Sequence, residues 1–138
     1  MSRPLPVHAD WLPLHHPDLK DCGVWWDVIR VSERTGKLAL DRLAEEGHRS
    51  SPAFIDPRGP EPRMYLLVPV GTAAAWNTAG TIALGEGSHV VVPHGDATSG
   101  ASHHWYRPPQ GARLFIDPQH LRAALDGLST LEAEGAEL

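Results

Sequence analysis

The stretch GVWWDVIRVSERTGKLALDRLAEEG, Gly23 to Gly47, decides the fold. Its first nine residues, Gly23 to Val31, are apolar, aromatic and β-branched, which predicts a buried strand. Trp25 and Trp26 would then face opposite sides of a sheet, one in the core and the other against a helix, the N-terminal arm or a partner. Ser32 offers a side-chain oxygen where a helix needs an N-cap, and the next fourteen residues place Leu40, Leu43 and Ala44 on one face. Gly47 sits where a C-terminal cap glycine belongs. Arg30 breaks the pattern. A charge inside an apolar strand needs a partner or an opening, so Arg30 is a candidate lining residue of a cleft.

Outward from this unit the chain reads as short strands and turns. SPAFID is a second strand, and the prolines of PRGPEP force a turn. RMYLLVPV is a third, apolar enough for burial on both faces. TAAAWNT suits a short helix. TIAL and HVVVP are two further strands joined by Gly85 to Ser88. HHWYRPP reads as an edge segment, and RLFID as a last strand. PQHLRAALDGLSTLEAE is a C-terminal helix with Pro118 in its first turn. The order predicts an α+β fold, with a mixed or mostly antiparallel sheet flanked by helices. Residues 1–22 read as an extended arm with a loose start, 23–128 as one domain, and 129–138 as an acidic tail that frays.

Composition narrows the function classes. At 138 residues the chain suits one hydrophobic core. Net charge is −5, but Asp126, Glu132, Glu134 and Glu137 carry most of it, so the body is close to neutral. No large basic field advertises non-specific nucleic-acid binding. Cys22 is the single cysteine, which excludes an intramolecular disulfide and a cysteine-based zinc framework. The N-terminus lacks the apolar core of a signal peptide, and no run reaches the roughly 20 apolar residues of a membrane helix. A cytoplasmic location is expected. The five tryptophans read as core packing rather than as a base-stacking platform, because Lys and Arg do not alternate with them.

The segment GEGSHVVVPHG, Gly85 to Gly95, concentrates site-like residues. Its glycines lead into a strand and not into a helix N-terminus, so it matches no phosphate-cradling loop. A tight turn entering a central strand explains it better, with room for the turn to line a pocket. His89, His94, His103 and His104 lie within sixteen positions but share no metal-ligand spacing. Ser88 and Ser102 lack the turn motif of a nucleophilic serine.

Together, WWDVIRVSERTGKLALDRLAEEG, RMYLLVPVG, LGEGSHVVVPHG and HHWYRPP resemble the N-terminal primase–polymerase (prim-pol) domains of bacterial and plasmid replication proteins, over about residues 22–110. Truncated relatives occur in high-GC actinobacteria, and the Arg-, Ala-, Gly- and Pro-rich composition suits such a genome. The resemblance implies a metal-binding acidic pair at Arg30 and Ser32, a phosphate-binding histidine near Tyr65, and a third acidic residue near Ile82. None of these positions carries the required group, and an arginine there repels a cation. The resemblance therefore implies a retained fold with polymerase chemistry lost, no metal and no cofactor. The expected role is binding, through a remnant cleft lined by Arg30, Tyr65, Glu86, His89 and His94, of a protein partner or of a nucleotide or nucleic-acid ligand. The alternative is a metal-dependent phosphoryl-transfer enzyme or hydrolase using His89, His94, His103 and His104.

Overall fold

The computed structural model describes residues 11–110 and 114–136, the last eight of them as backbone only. The fold is α+β, with two antiparallel sheets and two helices. In chain order the elements are β1 (Asp18–Asp21), β2 (Asp27–Ser32), α1 (Glu33–Glu45), β3 (Ala53–Asp56), β4 (Arg63–Val68), a 3-10 turn (Ala73–Ala75), β5 (Ile82–Leu84), β6 (His89–Val92), β7 (His104–Arg107) and α2 (Pro118–Ala136). The main sheet has the order β5-β2-β4-β3-β7, and β1 pairs with β6 in a separate two-stranded ribbon.

Helix α1 forms for the local reasons its sequence announces. Ser32 Oγ accepts the Thr35 N–H at 3.1 Å, satisfying one of the orphan donors of the first turn. At the other end Gly47 takes φ 87°. That conformation lets Gly47 N–H reach Ala44 O at 3.0 Å and His48 N–H reach Leu43 O at 2.8 Å. Gly36, Ala39, Leu40 and Leu43 are the buried face.

Strand alternation splits the core in two. On one face Ile29, Val31, Ile55, Met64, Leu66 and Val68 pack with Leu40 and Leu43 of α1 and Leu121, Ala124 and Leu125 of α2. On the other face Val28, Leu67, Phe54 and Trp105 pack beneath the ribbon, with Val90, Val92, Trp11, Cys22 and Trp26. Helices cover one face and the ribbon covers part of the other. Phe54 anchors the second cluster, stacked on Tyr65 at 4.9 Å between ring centroids and edge-on to Trp105 at 5.4 Å.

Several expectations from the sequence need correction. The strand expected from Gly23, β2, begins at Asp27, because Gly23, with φ 84° and its N–H bonded to Trp26 O at 2.8 Å, starts a turn. Trp25 and Trp26 therefore do not alternate across a sheet: Trp26 is fully buried and Trp25 is 45% exposed. The expected arm contains a strand, β1. β6 is not central; it leaves the main sheet to pair with β1, Lys20 opposite Val90. Leu114–Asp117 makes no strand: Ile116 N–H reaches Leu67 O, and Phe115 O accepts the Ser50 hydroxyl. α2 continues through the expected tail boundary to Ala136. The first residues of the arm and the last two of the tail lie outside the described residues.

Candidate functional site

The ribbon stops short of one end of the sheet, and the uncovered part turns polar. One row of paired positions crosses the whole sheet on this face: Ile82, Arg30, Tyr65, Phe54 and Trp105. Its Phe54 and Trp105 end is buried, while Arg30 is half-exposed and Ile82 is 47% exposed. The next row pairs Ser32 with Arg63 and Arg63 with Asp56. Arg30 thus stands where apolar packing ends.

An open cleft of about 430 Å³ lies there, lined by Arg30, Asp56, Arg58, Tyr65, His89 and His103 among others. A second opening of about 420 Å³ continues on the far side of Arg30 and Arg58, towards Arg63 and Ile82. The Arg30 side chain makes no hydrogen bond or ion pair with any described residue. Arg58 is held by Asp56, its Nε donating to Oδ1 at 2.9 Å. The Arg58 backbone N–H donates to the same oxygen at 3.1 Å, so the turn fixes this pair locally. His103 Nε2 lies 3.6 Å from Asp56 Oδ2, and both side chains are largely buried.

The charges are tuned by these contacts. Burial pushes the Asp56 carboxyl up, but the hydrogen bonds from Arg58 and the nearby charges of His103 and Arg58 outweigh it and hold the group below its ordinary value. Burial pushes the His103 ring below its ordinary value; the Asp56 charge opposes this, and Arg58 and His104 reinforce it. With His103 neutral, Arg30, Arg58 and Arg63 leave the cleft net positive around one paired carboxylate. The exposed Glu61 borders the outer opening.

The five residues expected in one cleft do not all meet. Arg30, Tyr65 and His89 line it together. Glu86 lies instead on a separate recess with Asp27. His94 is half-buried, with its Nδ1 unpartnered, and lines none of the openings described here. The four histidines do not form a joint metal site: among the described residues no group of three or more His, Cys, Asp or Glu is placed to hold a metal ion. His104 turns its Nδ1 to Ser102 O at 2.9 Å. Sequence reasoning missed Asp56 and Arg58, and named His103 only as a ligand of the metal-dependent alternative. A carboxylate two residues before an arginine, across Pro57, was the available signal for the first two.

The glycine-rich turn also has a structural explanation. Ser88 N–H closes the turn on Gly85 O at 2.9 Å, with Gly87 at φ 95°. A Cβ on Gly85 would stand 2.9 Å from the Ala73 Cβ, and one on Gly23 would stand 2.8 Å from the Glu86 Cα. These glycines permit close approach of three backbone segments. Cys22 is buried nearby, and burial, with the charges of Asp27 and Asp21, pushes its thiol up to about 11. That thiol is not a nucleophile at neutral pH. No helix among the described residues is long and apolar enough to cross a membrane. No known family model, curated protein or solved structure matches the chain.

Proposed function

We propose that this chain is a non-catalytic, prim-pol-like binding domain whose Arg30 cleft recognises the phosphates of a nucleotide or nucleic-acid strand. The observation that carries the reading is the unpaired Arg30 guanidinium beside Arg58 in an open cleft. A half-buried guanidinium without a counter-charge is costly, and a phosphate supplies both charge and a matching pair of acceptor oxygens. Tyr65 and His89 on the same cleft offer a ring face and a further donor. Loss of catalysis is part of the proposal, because the resemblance puts a metal carboxylate where Arg30 stands. A cytoplasmic setting, which suits the lone reduced Cys22, and a role in replication or its regulation belong to the same proposal.

A protein partner is the second reading. It is favoured by exposed apolar side chains around the cleft: Leu19 at 56% and Val91 at 36%, which face each other across the ribbon, and Ile82 at 47%. Thermal shift with nucleoside triphosphates, inorganic triphosphate and short single-stranded DNA separates the two. A ligand bound only by the native state at 100 times its Kd adds about 2.7 kcal/mol, a rise of several degrees in Tm. A rise that disappears in Arg30→Ala supports phosphate recognition. Flat curves for every phosphate ligand remove it and leave the protein partner.

A further inference from the structure

The recess shared by Asp27 and Glu86 lies at the other end of β2, and nothing in the phosphate reading uses it. It is an open recess of about 370 Å³, lined by Gly23, Asp27, Val70, Gly71, Ala73 and Glu86 among others. Asp27 is only 2% exposed. Its Oδ2 accepts the backbone N–H groups of Gly71 and Ala73, each at 2.9 Å. Its Oδ1 is buried and has no hydrogen-bond partner. No described cation pairs with Asp27 or with the exposed Glu86 on the same recess.

A buried carboxylate with a spare oxygen and no counter-charge is an incomplete arrangement. We propose that this recess binds a primary ammonium group carried on an aliphatic stem. The chemistry selects an ammonium over a guanidinium. Oδ2 is already occupied by two donors, so a planar fork cannot engage both oxygens, whereas a compact ammonium needs only Oδ1. Glu86 adds a second negative charge on the wall. The stem has apolar surface to lie on: Val70, 50% exposed, and Ala73 and Ala74 line the recess. The Arg30 cleft also has exposed apolar side chains on its rim, but its charge has the opposite sign.

Titration of the full 15N-labelled chain at low salt tests the site, with 1,5-diaminopentane, α-N-acetyl-lysine methylamide and neutral 1-pentanol as probes. Both amines should move the amide resonances of Gly71, Ala73, Gly85 and Glu86 saturably, and 1-pentanol should not. The tighter amine identifies the source, a free polyamine or a lysine side chain of a peptide. Asp27→Asn should abolish the response. Because that variant risks misfolding, Glu86→Gln at the exposed wall is the second arm, with affinity reduced about three- to tenfold. Arg30→Ala should bind the amines unchanged, which keeps this test separate from the phosphate reading. Equal shifts with 1-pentanol, no saturable shifts in the folded wild-type chain, or unchanged affinity in Glu86→Gln would each overturn the proposal.

Discussion

Gly36→Ala sets two effects of opposite sign against each other. Gly36 lies inside α1, where alanine is favoured by about 1 kcal/mol on helix propensity alone. The packing argues the other way. A Cβ at position 36 would stand 2.9 Å from Met64 Cβ and 3.1 Å from Met64 Cγ, and nearer still to Met64 Sδ. Met64 is fully buried in β4, so its flexible end has little space to move into, and its Cβ is fixed by the strand. Relief requires α1 to lift from the sheet, which loosens Leu40 and Leu43. Overpacking of this kind costs about 1–3 kcal/mol, with the upper half applying where the obstruction is anchored to backbone. The expected net loss is about 1–2 kcal/mol, read as a lower urea midpoint with an unchanged m value. Met64→Ala removes two of the three close atoms, so the pair should couple favourably by about 1 kcal/mol in a double-mutant cycle. An alanine variant as stable as wild type, or more so, would refute the close packing of α1 on β4.

Three further outcomes follow from the cleft and its surroundings. The unfolded chain carries His103 at the ordinary imidazole value of 6.5, while the folded ring titrates lower. Below that pH the unfolded state binds more protons, so stability falls as pH drops; His103→Gln should flatten this part of a Tm-against-pH curve and leave the Asp56 loss, which sets in only below 3.8. An unchanged slope in the variant would contradict the burial of the ring. Cys22, with its thiol near 11, should resist alkylation at pH 8 in the folded chain and react after urea unfolding, as followed by mass spectrometry. Rapid labelling of native protein would be inconsistent with its position. Asp27→Ala strands two backbone N–H groups and should cost about 2–6 kcal/mol in urea unfolding, at about 1–3 kcal/mol for each lost partner; a loss below 1 kcal/mol would mean water replaces the carboxylate without penalty.

What the sequence made legible was the local chemistry. Ser32 and Gly47 bracket α1 because caps act within four residues of the groups they satisfy. β3 and β4 were readable as apolar runs between prolines and glycines, and β7 as an edge segment ending at its prolines. Long-range pairing was not. Nothing near His89–Val92 shows that its partner is Asp18–Asp21, about seventy residues earlier, and the same blindness put a central strand where a ribbon lies. The described part of RLFID, Leu114–Asp117, failed as a strand because Asp117 is already committed to α2, its Oδ1 accepting the Gln119 N–H at 2.8 Å; Arg113 lies outside the described residues. At the site, Arg30 was conspicuous as a charge in an apolar strand; Tyr65 entered only through the prim-pol resemblance, and the sheet pairs it with Arg30. Glu86 was misassigned because a β-turn gives no sign of which opening it borders. The buried role of Asp27 depends on the chain returning at Gly71 and Ala73, which no local pattern reveals.

The central claim is that Arg30 awaits a phosphate. The most direct measurement is an NMR titration of the full chain with a nucleoside triphosphate, observing the Arg30 Nε–Hε resonance alongside the ring resonances of His89 and His103. The account predicts a saturable shift of all three, absent in Arg30→Ala and weakened by added salt. An Arg30 signal that stays still, or shifts confined to the separate opening at Arg49 and Arg107, would contradict it.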